Sequence, residues 1–223
     1  MNSFVNNKVF ILLCVLFVVF LWAANFVFIK LTLSEFDVFT ALFYRLLCVS
    51  IILLPFVKKP QKSEYLILAL TTIVLVVGHY GLLFLALMKT TSVGSISVVI
   101  QLSIPFSVVL AWIMFKDYPG YLRTTGLVIS FVGIVALFYE PSMFDNLKAL
   151  SIGTLSALSL GLYFNLVKKI KHLSSLGIIA YTSLLGVPCM YILMLLNNES
   201  LSSIFEIQTA EAWSGFVYTI IGG

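Results

Sequence analysis

The chain has 223 residues, of which 61% are hydrophobic and 10% charged. A soluble domain carries about 25% charged residues, so a water-exposed globule is excluded. The net charge of +4 comes from Lys and Arg in short loops, and no basic run interleaved with aromatics offers a nucleic-acid face.

The first apolar run, residues 9–29, follows Lys8. It is longer than the hydrophobic region of a secretory signal and has no small-residue cleavage pattern, so it reads as a retained helix. Further apolar runs predict helices over 37–57, 65–88, 93–115, 124–139, 150–167 and 176–196, with an eighth beginning near Trp213. All are too long for strands. The fold class expected is an all-α polytopic membrane protein.

Loop charge alternates along this series. Lys8, Lys58, Lys59, Lys62, Lys116, Arg123, Lys168, Lys169 and Lys171 fall on one side. Lys30, Lys89 and Lys148 fall on the other, with Glu35, Asp37, Glu140, Asp145, Glu199, Glu206 and Glu211. Basic loops stay in the cytoplasm, which predicts a cytoplasmic N-terminus in a multi-pass protein of the cell (inner or plasma) membrane.

An internal repeat shows at a constant offset. Trp22–Lys30 closes the first helix and Leu160–Lys168 closes the sixth with the same spacing to Lys. Residues 41–48 then align with 179–186. A five-helix unit repeated once has inverted topology, because five is odd.

Polar residues inside the spans are few. Arg45 lies roughly 12 Å into the second helix at 1.5 Å per residue, where a charge is costly and faces protein or a cavity. It reads as a structural intramembrane charge. His79 lies deep in the third helix, beside Tyr80. Gly94, Ser97 and Gln101 form a polar stripe on the fourth, which either bonds a neighbouring helix or lines a cavity. Trp22 and Asn25 share a face of the first. Gly153, Ala157 and Gly161, and likewise Ser103, Ser107 and Ala111, repeat at four residues and allow close helix packing. Pro105 should kink the fourth helix.

Cys14, Cys48 and Cys189 stand singly, which supports neither a zinc site nor a disulfide framework. HExxH, GxSxG, P-loop and GxGxxG patterns are absent. No catalytic set, metal or cofactor is expected, and the chain does not read as an enzyme. No acidic residue reaches the middle of a span, which argues against carboxylate-driven ion coupling.

The segment Trp22-Ala-Ala-Asn25-Phe-Val-Phe-Ile-Lys30, followed by Arg45, resembles the opening of EamA-type members of the drug/metabolite transporter superfamily. Residues 83–101 resemble that family's passage from helix 3 to helix 4, and Lys116-Asp117, Gly126 and Gly133-Ile134 resemble its run into helix 5. The likeness is greatest to the amino-acid metabolite exporters. It implies ten helices in two inverted five-helix repeats, a central cavity and cytoplasmic termini. This chain holds about seven and a half of those helices: residues 1–141 as the first repeat, and 148–223 as a second that stops within its third helix. It also has Leu160 where the family has Trp.

The resulting expectation is an exporter of amino acids or related small polar metabolites, working by alternating access. Trp22, Asn25, His79, Tyr80, Ser97, Gln101 and Tyr163 are the candidate substrate-binding residues. The expected partners are a small polar solute and membrane lipid, without nucleic acid, and a homodimer is a candidate assembly. The alternative is a non-transporting membrane scaffold or an inactive truncated fragment.

Overall fold

The computed structural model describes residues 8–137, 146–206 and 209–222. The expected boundary between the repeats, the last two residues of the predicted fifth helix, Glu140 and Asp145 lie outside the described residues. Every regular element described is helical. In chain order they are α1 (Lys8–Thr32), α2 (Val38–Leu53), α3 (Lys62–Lys89), α4 (Val93–Phe115), α5 (Tyr121–Leu137), α6 (Leu147–Val167), α7 (Ser175–Leu196) and α8 (Ala210–Ile221).

Six of these, α1 to α4 with α6 and α7, are long and apolar enough to cross a membrane. Their outward faces are apolar as well: Phe20 on α1 is 68% exposed. Such a surface is stable only against hydrocarbon, and helices satisfy their own backbone groups there. The protein is therefore an all-α, multi-pass integral membrane protein.

The helices pair in a regular pattern. α1 runs against α8, α2 against α7, and α3 and α4 both against α6. Small residues permit the closest contacts. A Cβ on Gly215 of α8 would stand 2.6 Å from the Phe28 carbonyl oxygen of α1, and one on Gly161 of α6 would stand 2.9 Å from the Ser103 carbonyl oxygen of α4. Glycine is needed at both places because backbone meets backbone. Between the helices lies an apolar core that includes Ile29, Leu42, Phe84, Leu87, Leu150 and Met190, with a smaller cluster of Leu68, Ile170, Leu173 and Ile178 beside it.

Polar fasteners hold the ends. Lys30 Nζ donates to the carbonyl oxygens of Leu87 and Thr90 at 2.7 and 2.8 Å, satisfying the C-terminus of α3. Glu64 Oε1 accepts from the backbone N–H groups of Lys171 and His172 at 2.9 and 3.0 Å, tying the start of α3 to the turn before α7.

Two helices depart from regular geometry. Residues Ile73–Gly81 of α3 form a π-helical stretch, which the periodicity of the sequence does not announce. α4 divides into Val93–Ile100 and Ser103–Phe115, with Gln101 and Leu102 in a turn between them. Pro105 explains the break. It has no N–H for the carbonyl of Gln101 four residues back, and its ring crowds that carbonyl. The Gln101 oxygen instead accepts from Ile104 N in a tighter turn at 3.1 Å.

Candidate functional site

A cavity of about 160 Å³ lies within the bundle, walled by side chains from α1, α2, α3, α4, α6 and α7. Each wall follows from local geometry. α1 contributes Trp22, Asn25 and Phe26, and α6 contributes Leu160, Tyr163 and Phe164. Both sets follow the one-face spacing of a helix, i, i+3 and i+4.

α3 supplies Leu75, His79, Tyr80 and Leu83. Widened turns of the π type recur at functional sites, and here the π-helical stretch carries the first three of these residues. His79 is fastened from α6. Its Nδ1 lies 2.9 Å from Ser156 Oγ, and that hydroxyl donates to the His79 carbonyl oxygen at 3.0 Å. The hydroxyl has one proton, and it goes to the carbonyl. With that assignment Nδ1, which also lies 3.3 Å from the Ser156 carbonyl oxygen, is the donating ring nitrogen and Nε2 is left as an acceptor.

α4 presents Ile100, Gln101 and Ser103 at its break. Unwinding there turns Gln101 to the cavity, while its carbonyl is held within the turn. Ser97, one helical turn earlier, does not line the cavity. Its hydroxyl donates back to the Gly94 carbonyl oxygen at 2.7 Å.

Arg45 projects from α2 and is 4% exposed. Its guanidinium carbon lies 4.7 Å from the centroid of the Tyr80 ring, a cation–π arrangement. No carboxylate pairs with it among the described residues. Arg45, Tyr80 and Ile179 also line a second cavity of about 360 Å³, with Val49, Leu53, Ser183 and Ile220. The Arg45–Tyr80 pair thus stands on the wall common to both spaces.

One polar atom is left over. Asn25 is 8% exposed, and its Oδ1 is buried with no hydrogen-bond partner among the described residues. Leaving a buried acceptor unpaired costs about 1–3 kcal/mol, and an acceptor unpaired at the wall of a cavity invites a donor.

Of the residues singled out by sequence, the structure brings together Trp22, Asn25, His79, Tyr80, Gln101 and Tyr163, and it leaves Ser97 outside. Arg45, expected to serve the fold, lines the same space. Sequence reasoning missed Ser156, Phe26 and Phe164. A Ser in an apolar helix ordinarily bonds its own backbone, and Ser156 stands among Ser151, Thr154 and Ser159, so nothing flagged it. The two Phe residues are recoverable from the spacing of their helix faces. No group of His, Cys, Asp and Glu that could hold a metal occurs among the described residues.

Membrane-crossing helices packed around a largely apolar cavity with a few polar groups in its wall make this a multi-pass membrane protein. Residues 9–139 match the EamA-like transporter family, and the chain belongs to that family. It is also similar to an uncharacterized transporter of Archaeoglobus fulgidus, with 33% identity over 144 residues. That match covers 62% of this chain and 48% of the relative, so the chain spans about half of the relative's length.

Proposed function

We propose that this protein moves small polar solutes, amino acids or related metabolites, outward across the cell membrane by alternating access. The observation that carries the reading is the cavity at the junction of six helices, with one polar acceptor left unpaired in its wall. A chamber of about 150 Å³ accommodates a molecule the size of benzene, so about 160 Å³ suits a small amino acid rather than a drug-sized ligand.

The helix pairing supports two inverted repeats, residues 1–141 and 148–223. Under that symmetry α1, α2 and α3 correspond to α6, α7 and α8. The α1–α8 contact is then the mate of α3–α6, and α2–α7 lies on the axis. The cavity falls between the repeats, with Trp22, Asn25 and Phe26 at the positions equivalent to Leu160, Tyr163 and Phe164. Rocking one repeat against the other exposes such a site to each side in turn. The loop charges support a cytoplasmic N-terminus.

A scaffold has no use for an unpaired buried acceptor beside a chamber, so the cavity favours the carrier reading over the scaffold one. Reconstitution in liposomes loaded with labelled amino acids tests it. Protein-dependent efflux of at least one amino acid is expected. Failure to move any solute of a broad polar panel overturns the reading.

A further inference from the structure

We propose that Arg45 is the anion-recognising group of the solute path, selecting solutes that carry a carboxylate and holding that carboxylate at the boundary between the two cavities. The inference rests on the transporter reading and adds to it a residue and a charge requirement.

The argument starts from an imbalance of charge. Arg45 is almost wholly buried, and its guanidinium cannot shed its proton in a protein. A buried cation is expensive unless it is paired and hydrogen-bonded. Among the described residues its partner is the face of Tyr80, and a cation–π contact returns less than the cost of removing a cation from water. An arginine with a purely structural task would carry a carboxylate or a set of backbone carbonyls around its N–H groups. Here the side chain lines open space on two sides. The missing counter-charge is therefore one that arrives with the solute, and the planar fork of Arg suits a carboxylate held by two parallel bonds.

The rest of the chamber fits a solute with one such group. Its other lining residues carry no side-chain charge beyond what His79 could acquire, so nothing there repels an anion. On α1, Asn25 Oδ1 is an acceptor without a donor, which suits an N–H on the same molecule. Apolar Leu75, Leu83 and Ile100 line the chamber too, and they leave room for a short side chain. Because Arg45 faces both cavities, the carboxylate can stay on one anchor while the remainder of the solute passes from one space to the other.

The test compares matched pairs. The twenty proteinogenic amino acids and their amides are titrated against the purified protein in neutral-lipid nanodiscs, and affinity is read from the shift in thermal unfolding. An amide keeps the side chain and loses the anion. Amino acids that bind are expected to lose at least tenfold in affinity on amidation, as a charge-assisted bond is replaced by a neutral one. Arg45→Lys is expected to keep the preference at lower affinity, and Arg45→Gln to abolish it. If Arg45→Gln does not fold, the acid-to-amide ratio of the unaltered protein and the Arg45→Lys series decide the matter. Amides that bind as tightly as the acids overturn the role of Arg45 while leaving transport intact. A stabilisation produced by anionic phosphatidylglycerol and by no amino acid also overturns it, since the anion is then a lipid headgroup. If no compound binds and none is moved by liposomes, both readings fall.

Discussion

Glu199 caps a helix that begins far away in the chain. Its Oε2 accepts from the backbone N–H of Thr40 at 2.8 Å and from that of Phe39 at 2.9 Å, across a separation of 159 residues from Thr40. The Thr40 hydroxyl adds a third bond at 3.2 Å. Asp37, the residue placed to cap α2, makes no such side-chain bond. The segment after α7 thereby fastens the start of α2, and two of the N–H donors that a helix start cannot satisfy internally are paired. Replacing Glu199 by Ala should cost about 1 kcal/mol of stability, the usual worth of a cap, as read by thermal unfolding in detergent.

The same carboxyl makes stability depend on pH. Burial raises its pKa above the ordinary carboxylate value, bonds from Thr40 oppose the shift, and the nearby charge of Asp37 adds to it. A carboxyl with a raised pKa in the folded state holds its proton more tightly there than in the unfolded chain. Its contribution is complete below the ordinary carboxylate range and is lost as pH rises through the raised value. Unfolding midpoints measured across that interval should fall with rising pH. Glu199→Gln should flatten that part of the curve, and an unchanged slope in the variant would assign the dependence to another group.

Ser156 and His79 form a closed pair, each giving and receiving one bond. Ser156→Ala removes both bonds, leaving Nδ1 the Ser156 carbonyl oxygen at 3.3 Å and the His79 carbonyl the Leu82 N–H, at a cost of about 0.5–1.5 kcal/mol. The yield of folded protein on size-exclusion chromatography should drop. A variant that folds in full and transports normally would show that the pair holds neither the helix contact nor the cavity wall.

Gly161 and Gly126 respond in opposite ways to the same change. A Cβ on Gly161 meets the Ser103 carbonyl and the Ser107 nitrogen, both at 2.9 Å, whereas one on Gly126 has nothing within 4 Å. Gly161→Ala should destabilise by about 1–3 kcal/mol through overpacking. Gly126→Ala should be neutral or stabilise by up to about 1 kcal/mol, as alanine favours a helix interior. Matched denaturation curves of the two variants give the comparison.

How far the sequence reached depends on the kind of force. The helices were legible because the length of an apolar run is a one-dimensional property that the bilayer reads directly. Gln101 and His79 were legible because a polar group at that depth demands a reason. Ser97 does not line the cavity that Gln101 lines, because a stripe at three- and four-residue spacing assumes a straight helix and the break before Pro105 turns α4 at Gln101. The π-helical stretch around His79 leaves the residue pattern unchanged, so only coordinates reveal it. The task of Glu199 was hidden for another reason: its partners are neighbours in space, and no local pattern joins residue 199 to residue 40.

Whether α5 crosses the membrane has a direct consequence. Its described length, Tyr121–Leu137, is 17 residues, near the lower limit of about 17–25 for a span. Five helices separate Gln61 from Asn198 if α5 crosses, and four crossing helices if it does not. With the native cysteines replaced, single cysteines at positions 61 and 198 should react with an impermeant reagent from opposite sides, position 61 from the cytoplasm. Reaction from the same side would remove α5 from the spans and with it the inverted five-helix repeat.

The central claim is that the cavity beside Gln101 holds the solute during transport. Gln101 offers two donors and an acceptor without charge, and it stands in the break of α4 at the cavity wall. The most direct measurement is amino-acid efflux from liposomes containing Gln101→Leu, normalised to folded protein in the membrane. The account predicts normal insertion and folding with efflux reduced by up to about tenfold, the loss of one hydrogen bond of about 0.5–1.5 kcal/mol. Unchanged efflux from a normally folded Gln101→Leu protein would contradict it.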